Sequence, residues 1–320
     1  MNDTTRAMVR CENLVKIYKF EDIEVVALQG LDITVHAGEM VSIIGPSGSG
    51  KSSLLNVLGG LDSPTAGNAW VADLDLVRLD DKSRREYRRT TVGFVWQNVS
   101  RNLVPYLSAR ENVEMPMILQ GSFARGRASE LLRLVGLGDR LRHTPSRMSG
   151  GEQQRVAIAI ALANDPKILL ADEPTGSIDS ATRDRIIGVF DTVRRELGIT
   201  VLIVTHDREI AQRVDRYIEI RDGKTSREAV RRSDAMLESN YGSRESDDSE
   251  DDDESTHELY TLLDSAGRLQ IPRELLSSRG ISDRVKLTED GEKIIIMPPT
   301  ESAPTESAPT ESGEMDDTDE

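Results

Sequence analysis

Three short, largely apolar runs mark the first two thirds of the chain, and each stops at a polar group of distinctive chemistry. They are Met40–Ile44, Ile168–Ala171 and Val201–Val204. Apolar runs of four or five residues predict strands buried on both faces, as in a sheet covered by helices. The first is followed by a glycine-rich turn and a helix predicted from about Gly50, and another helix is predicted near Glu152. A different pattern fills the region before the tail. It reads as a strand, an Asp-x-x-Gly turn, a second strand, Pro272, a short helix near Arg273–Arg279, Gly280, and two strands around the turn "EDGE".

The stretch "GPSGSGKS" supplies Gly45, Pro46, Ser47, Gly48, Ser49, Gly50, Lys51 and Ser52, with Ser53 opening the helix. Gly45, Gly50, Lys51 and Ser52 fit G-x-x-x-x-G-K-[ST] between a strand and a helix, the setting a phosphate-binding loop requires. Glycines let backbone N–H groups curl around phosphates, and a helix N-terminus adds partial positive charge. Lys51 is suited to the β- and γ-phosphates of ATP, and Ser52 to Mg²⁺.

The second run ends in Asp172 and Glu173. Carboxylates at the end of a buried strand need partners. Beside a phosphate loop, Asp172 is a natural Mg²⁺ ligand through water, and Glu173 a general base for the attacking water. The third run ends at Thr205 and His206. By itself a histidine there is more often a surface hydrogen-bonder than a catalytic group. Strand ends at Gly45, Asp172 and His206 agree with one nucleotide site beyond the carboxyl ends of an α/β sheet.

"MSGGEQQR" adds a second glycine pair, Gly150 and Gly151, after Ser149. Ser149 with Glu152 three residues later reads as a capping box. A capped helix start is also an anion site.

In order and spacing, "GPSGSGKS", "FVWQN", "MSGGEQQR", "LLADEP" and "VTHD" resemble the ATP-binding-cassette ATPases over about residues 8–224. "GLDSPTAGNAW", "LVPYLSARENVEMPM" and "ADEPTGSID" resemble the lipoprotein-releasing and macrolide-efflux type. The resemblance implies an α/β fold, a P-loop nucleotide-binding domain with a mixed sheet, flanking helices and a helical subdomain. It implies that two copies face each other and that Ser149, Gly150 and Gly151 of one complete the ATP site of the other. Tyr18 then stacks on adenine, Gln97 touches Mg²⁺ or water, Asp179 lies in a loop communicating across the dimer, and His206 meets the γ-phosphate. Glu173 matches the catalytic glutamate. The implied partners are a second ATPase copy and integral membrane permease subunits. The implied place is cytoplasmic, peripheral on the inner face of the cell membrane. Trp96, Met148 and Ile160 stand where that pattern more often has phenylalanine, leucine and arginine.

Charge divides the chain. The net charge is −16, yet residues 1–230 hold 31 basic and 31 acidic side chains. Residues 231–256 hold 3 and 10, residues 257–299 hold 6 and 7, and residues 300–320 hold 0 and 8. Four segments follow: a nucleotide-binding domain over 1–230, an acidic disordered linker over 231–256, a small β-rich unit over 257–299, and a disordered acidic tail over 300–320. The third segment resembles the AbrB-like swapped-hairpin family through Asp264, Gly267, Arg268, Ile271 and Pro272. That resemblance implies a dimerisation unit. Its acidic balance weighs against DNA, since phosphate binding gains from positive charge.

Cys11 is the only cysteine, so no disulfide can form within the chain. No apolar run approaches the ~18 residues of a membrane span. Three functions stay open at this point: a transporter ATPase, a soluble regulator whose last unit binds DNA, and a membrane scaffold whose ATP cycle signals.

Overall fold

The computed structural model describes residues 6–231, apart from 22, 177 and 212, and residues 257–298, apart from 264–266, 268, 270, 272, 282–284 and 292. The predicted linker, residue 231 excepted, and the predicted tail lie outside the described residues.

A seven-stranded sheet carries the site. Its order is β11(His257–Thr261)–β10(Lys224–Arg231)–β9(Arg216–Arg221)–β3(Met40–Ile44)–β8(Thr200–Thr205)–β7(Ile168–Asp172)–β6(Val92–Val95). The strands from β9 to β6 pair in parallel, while β10 and β11 add antiparallel ladders at one edge. The alternation of side chains explains why the central strands are apolar throughout. Met40, Leu169, Ala171, Val201 and Ile203 enter one buried cluster, and Val41, Ile168, Leu170, Leu202 and Val204 enter the other. Each face of the sheet is therefore a core of its own.

One core lies under a second, antiparallel sheet of order β2(Ile23–His36)–β1(Ala7–Phe20)–β4(Ala66–Val71)–β5(Leu74–Asp75), together with α1(Lys51–Leu58) and Tyr87 of α2(Asp81–Thr90). The other is covered by helices. These are α3(Ala109–Gln120), α4(Arg127–Leu134), α5(Gly150–Ala161), α6(Ser180–Leu197) and the single turn α7(Arg208–Ala211). α3 and α5 each open with a capping box, Ser108 with Glu111 and Ser149 with Glu152. Hydrogen bonds from the Ser108 hydroxyl and backbone N–H hold Glu111, and one from the Ser149 backbone N–H holds Glu152, below the usual carboxylate range. By linkage, this contribution to stability is present above the ordinary carboxylate pKa and is lost as pH falls through the lowered one.

Two compact units divide between residues 270 and 271. The sequence reading begins the small unit at 257, whereas β11 completes the edge of the large sheet, with Arg231 opposite His257 and Arg227 opposite Thr261. The reason is local: β10 offers an open ladder, and His257 is buried with Nε2 3.1 Å from the Val214 carbonyl and its ring 5.7 Å from that of Tyr217. The second unit holds α8(Arg273–Ser278) and an antiparallel hairpin of β12(Lys286–Asp290) and β13(Lys293–Met297). Two of its apolar side chains on the hairpin stay open, Leu287 at 63% and Ile294 at 76% exposure.

Candidate active site

β3 ends at Ile44, and the loop turns at once through Gly45, whose φ is 155°. A Cβ there would lie 2.2 Å from the Ile220 carbonyl oxygen on β9, and one at Gly50 would lie 2.3 Å from that of Ala27 on β2. Both glycines are therefore fixed by packing as well as by φ. Between them Pro46, Ser47 and Gly48 are exposed, Ser49 is buried, and Ser52 and Ser53 follow on the first turn of α1.

Lys51 is nearly buried, and its Nζ donates to the carbonyls of Gly45 (2.7 Å) and Pro46 (2.8 Å). The ammonium therefore sits inside the loop. Burial pushes its pKa below the ordinary lysine value, against the opposing charges of Glu173 and Asp172.

β7 delivers the two carboxylates. Asp172 accepts a long hydrogen bond from Ser52 Oγ at 3.4 Å. Burial raises its pKa, which the Ser52 contact partly offsets. Glu173 lies just past the strand with φ 45°, and its N–H donates to the Val204 carbonyl at 2.8 Å. A left-handed glutamate costs about 1–3 kcal/mol, a strain that clusters at functional sites. The twist turns the carboxylate toward the end of β8, where Glu173 Oε1 lies 2.8 Å from His206 Nδ1. Gln97, exposed beyond β6, approaches from the other side: a Cβ on Gly176 would lie 3.8 Å from its Nε2. A hydroxyl, a carboxylate and an amide oxygen form a hard donor set that fits Mg²⁺.

Tyr18 stands on β1 opposite Val25 of β2, two residues from the Ala27 that touches Gly50. It is half-buried, with Lys16 Nζ 4.8 Å from its ring centroid and the ring of Phe20 6.3 Å away. The antiparallel sheet thus brings an aromatic face to the neighbourhood of the phosphate loop.

The remaining site residues lie apart from these. Ser149 and Gly150 are exposed at the start of α5, where Glu152 N–H donates to Ser149 Oγ at 3.2 Å and Ser149 N–H to Glu152 Oε2 at 2.8 Å. The two glycines differ. A Cβ on Gly150 would meet nothing within 4 Å, while one on Gly151 would lie 2.4 Å from Thr182 Cγ2 of α6. A cavity of about 250 Å³ lies beside them, lined by Ser149, Gly151, Glu152, Arg155, Thr182 and Arg185, and none of the phosphate-loop residues reaches it. Asp179 caps α6, accepting from Thr182 N–H at 2.9 Å. Sequence reasoning missed two contributors: Ile220 and Ala27, which wall the loop with backbone carbonyls. The carbonyls carry no residue-type signal.

Similarity to known proteins gives the family. A family profile described as ABC transporter matches residues 28–176. The lipoprotein-releasing system ATP-binding protein LolD 2 of Caulobacter vibrioides is 47% identical over 226 residues, covering 70% of this chain and 97% of that one. The chain belongs to the ABC transporter ATP-binding family. The macrolide export ATP-binding/permease protein MacB of Brucella melitensis is 45% identical over 70% of this chain and 35% of its own length. The dimeric, post-hydrolysis structure of the cassette MJ0796 bound to ADP and Pi superposes with a TM-score of 0.64 at 42% identity, over 71% of this chain and all of that one. As an ABC cassette this protein is an ATPase, the mixed sheet with flanking helices stands as the motifs imply, and its relatives include ATP-binding proteins of the LolD and MacB groups. Among the described residues no helix is long and apolar enough to cross a membrane.

Proposed function

We propose that two copies of this chain clamp two ATP molecules between them and drive separate permease subunits, for export or extraction of a substrate at the inner face of the cell membrane. The contact between Glu173 and His206, next to the phosphate loop, carries this reading. The triphosphate lies in the loop Gly45–Ser53 with Lys51 on its β- and γ-phosphates, and the adenine rests on Tyr18. Ser52, Asp172 and Gln97 hold Mg²⁺, which neutralises charge on the phosphates. Glu173 takes the proton of the attacking water, and His206 orients Glu173 and the γ-phosphate. Ser149 and Gly150 offer an exposed, positively polarised helix start to the triphosphate of the second copy, and Asp179 faces that copy too.

A groove beside α3 supports a membrane partner. It encloses about 290 Å³ against Val104, Met115, Pro116, Leu119 and Ile160, and Leu119 at its rim is 78% exposed. The LolD and MacB relatives are named for lipoprotein release and macrolide export. Extraction of an amphiphilic cargo is the corresponding role here. Co-purification with an integral membrane protein, and stimulation of ATPase activity by cargo, separate this reading from a soluble regulator and from a signalling scaffold.

Glu173→Gln tests the reading directly. The variant binds ATP and loses turnover by about 10²-fold or more, and in a chain ended after residue 270, which lacks the hairpin, it accumulates as a dimer on size exclusion with ATP. A Glu173→Gln protein that hydrolyses at the wild-type rate, or stays monomeric with ATP, overturns it.

The region 257–299 acts in this scheme as a dimer clamp that raises the effective concentration of the two ATPases. The open apolar side chains of the β12–β13 hairpin support that role, and the acidic balance argues against DNA. Ending the chain after residue 270 keeps β11 in its sheet and removes the hairpin. ATPase activity per molecule then depends more steeply on protein concentration, and an unchanged dependence refutes the clamp.

A further inference from the structure

His206 hangs from the last residue of β8 and is itself 63% exposed, so its side chain has little packing to hold it. The residue after it is held firmly. Asp207 N–H donates to Thr205 Oγ1 at 3.0 Å, and Asp207 Oδ1 accepts from Glu209 N–H at 2.9 Å, capping the turn α7. Its other oxygen, Oδ2, takes Arg183 Nη1 at 2.6 Å, and the second arm of the guanidinium pairs with Glu209. The arginine side chain is only 17% exposed. A second ion pair, Asp184 with Arg213 at 2.8 Å, joins the same two segments one residue on.

Arg183 belongs to the first turn of α6, and that turn faces two ways. Its N–H donates to the Asp179 carbonyl at 2.9 Å, Asp179 caps Thr182, and Thr182 is the side chain against which Gly151 packs. One helical turn thus touches the Ser149–Gly151 helix start on one side and the His206 loop on the other. A planar, two-armed guanidinium fits this task, because it fixes direction as well as charge.

We infer that Arg183 is a positioning residue for hydrolysis: through Asp207 it sets His206 against Glu173, and it ties that setting to the α6 turn beside Ser149–Gly151. The inference rests on the reading of Glu173 and His206 as the hydrolytic pair. Arg183 touches no phosphate-loop residue, so its loss leaves ATP capture intact and weakens the chemical step.

Steady-state ATPase rates across ATP concentrations, on the full chain, decide it. The set is wild type, R183A, R183K, D207N, R183A/D207N and, as reference, H206A. Asparagine at 207 keeps the cap on α7 and removes only the ion pair. R183A and D207N each lower kcat about tenfold or more with KM within about twofold, since a small misplacement of a catalytic group is enough for such a loss. The double variant falls no further than the worse single one, as expected of one shared contact. R183K recovers part of the rate, one arm replacing two. If H206A is inactive while R183A or D207N turns over within about twofold of wild type, or if their losses multiply, the inference is wrong and the site reading survives. If H206A turns over like wild type, the site reading itself fails and takes this inference with it. Should R183A be insoluble, D207N and R183K decide between the same outcomes.

Discussion

The chain carries two candidate phosphate sites built on opposite plans. The loop Gly45–Ser52 is enclosed: Lys51 is buried against its own loop carbonyls, and backbone from β2 and β9 blocks any side chain at Gly50 and Gly45. The helix start at Ser149–Gly151 is open: Ser149 and Gly150 are exposed, and only Gly151 is packed. Enclosure lets the first region hold a polyphosphate unaided, with charge, geometry and carboxylates from one chain. The second has a helix terminus and little else, and one terminus on a wet surface contributes only about 0.3–1 kcal/mol. It becomes useful when something brings a phosphate already held elsewhere. In the proposed dimer, that asymmetry is the physical reason for two copies.

Substitutions at glycine sharpen the contrast. Gly45→Ala should do most harm, because its Cβ would overlap the rigid Ile220 carbonyl at a φ of 155°. A loss of about 3 kcal/mol in thermal or denaturant unfolding, with loss of nucleotide binding, is expected. Gly151→Ala should cost less, about 1–2 kcal/mol, since the obstacle is the Thr182 methyl group, which can turn aside. Gly150→Ala should leave the isolated monomer as stable as wild type or up to about 1 kcal/mol more so, as alanine favours the helix. Its effect should surface only in the ATP-bound dimer, which, in a chain ended after residue 270, should form less readily on size exclusion. Equal melting losses for Gly150→Ala and Gly151→Ala would erase the distinction between the two glycines. An unimpaired Gly45→Ala would erase the distinction between the two regions.

Much of the site was legible because its chemistry is local. Four residues of the phosphate loop, the carboxylates after an apolar strand and the histidine after another each carry their signal within a few positions. The capping box at Ser149 was legible for the same reason, since both of its hydrogen bonds span three residues. The long antiparallel sheet of β1 and β2 left no comparable signal, and with it went the walls of the loop. Strand β11 was read into the wrong neighbourhood: its pattern fits a hairpin, but pairing is settled by which edge is free, and that edge belongs to β10.

By itself, the sequence determined the runs of buried strand, the loop that holds phosphate, the acidic pair, the capped helix start and the family. Those are properties of neighbouring residues. Tertiary structure alone decided that the two glycines after Ser149 have different duties, that Glu173 meets His206, and that an arginine on α6 reaches the turn after that histidine. These depend on distances between segments far apart along the chain, fixed only when both faces of the central sheet are buried.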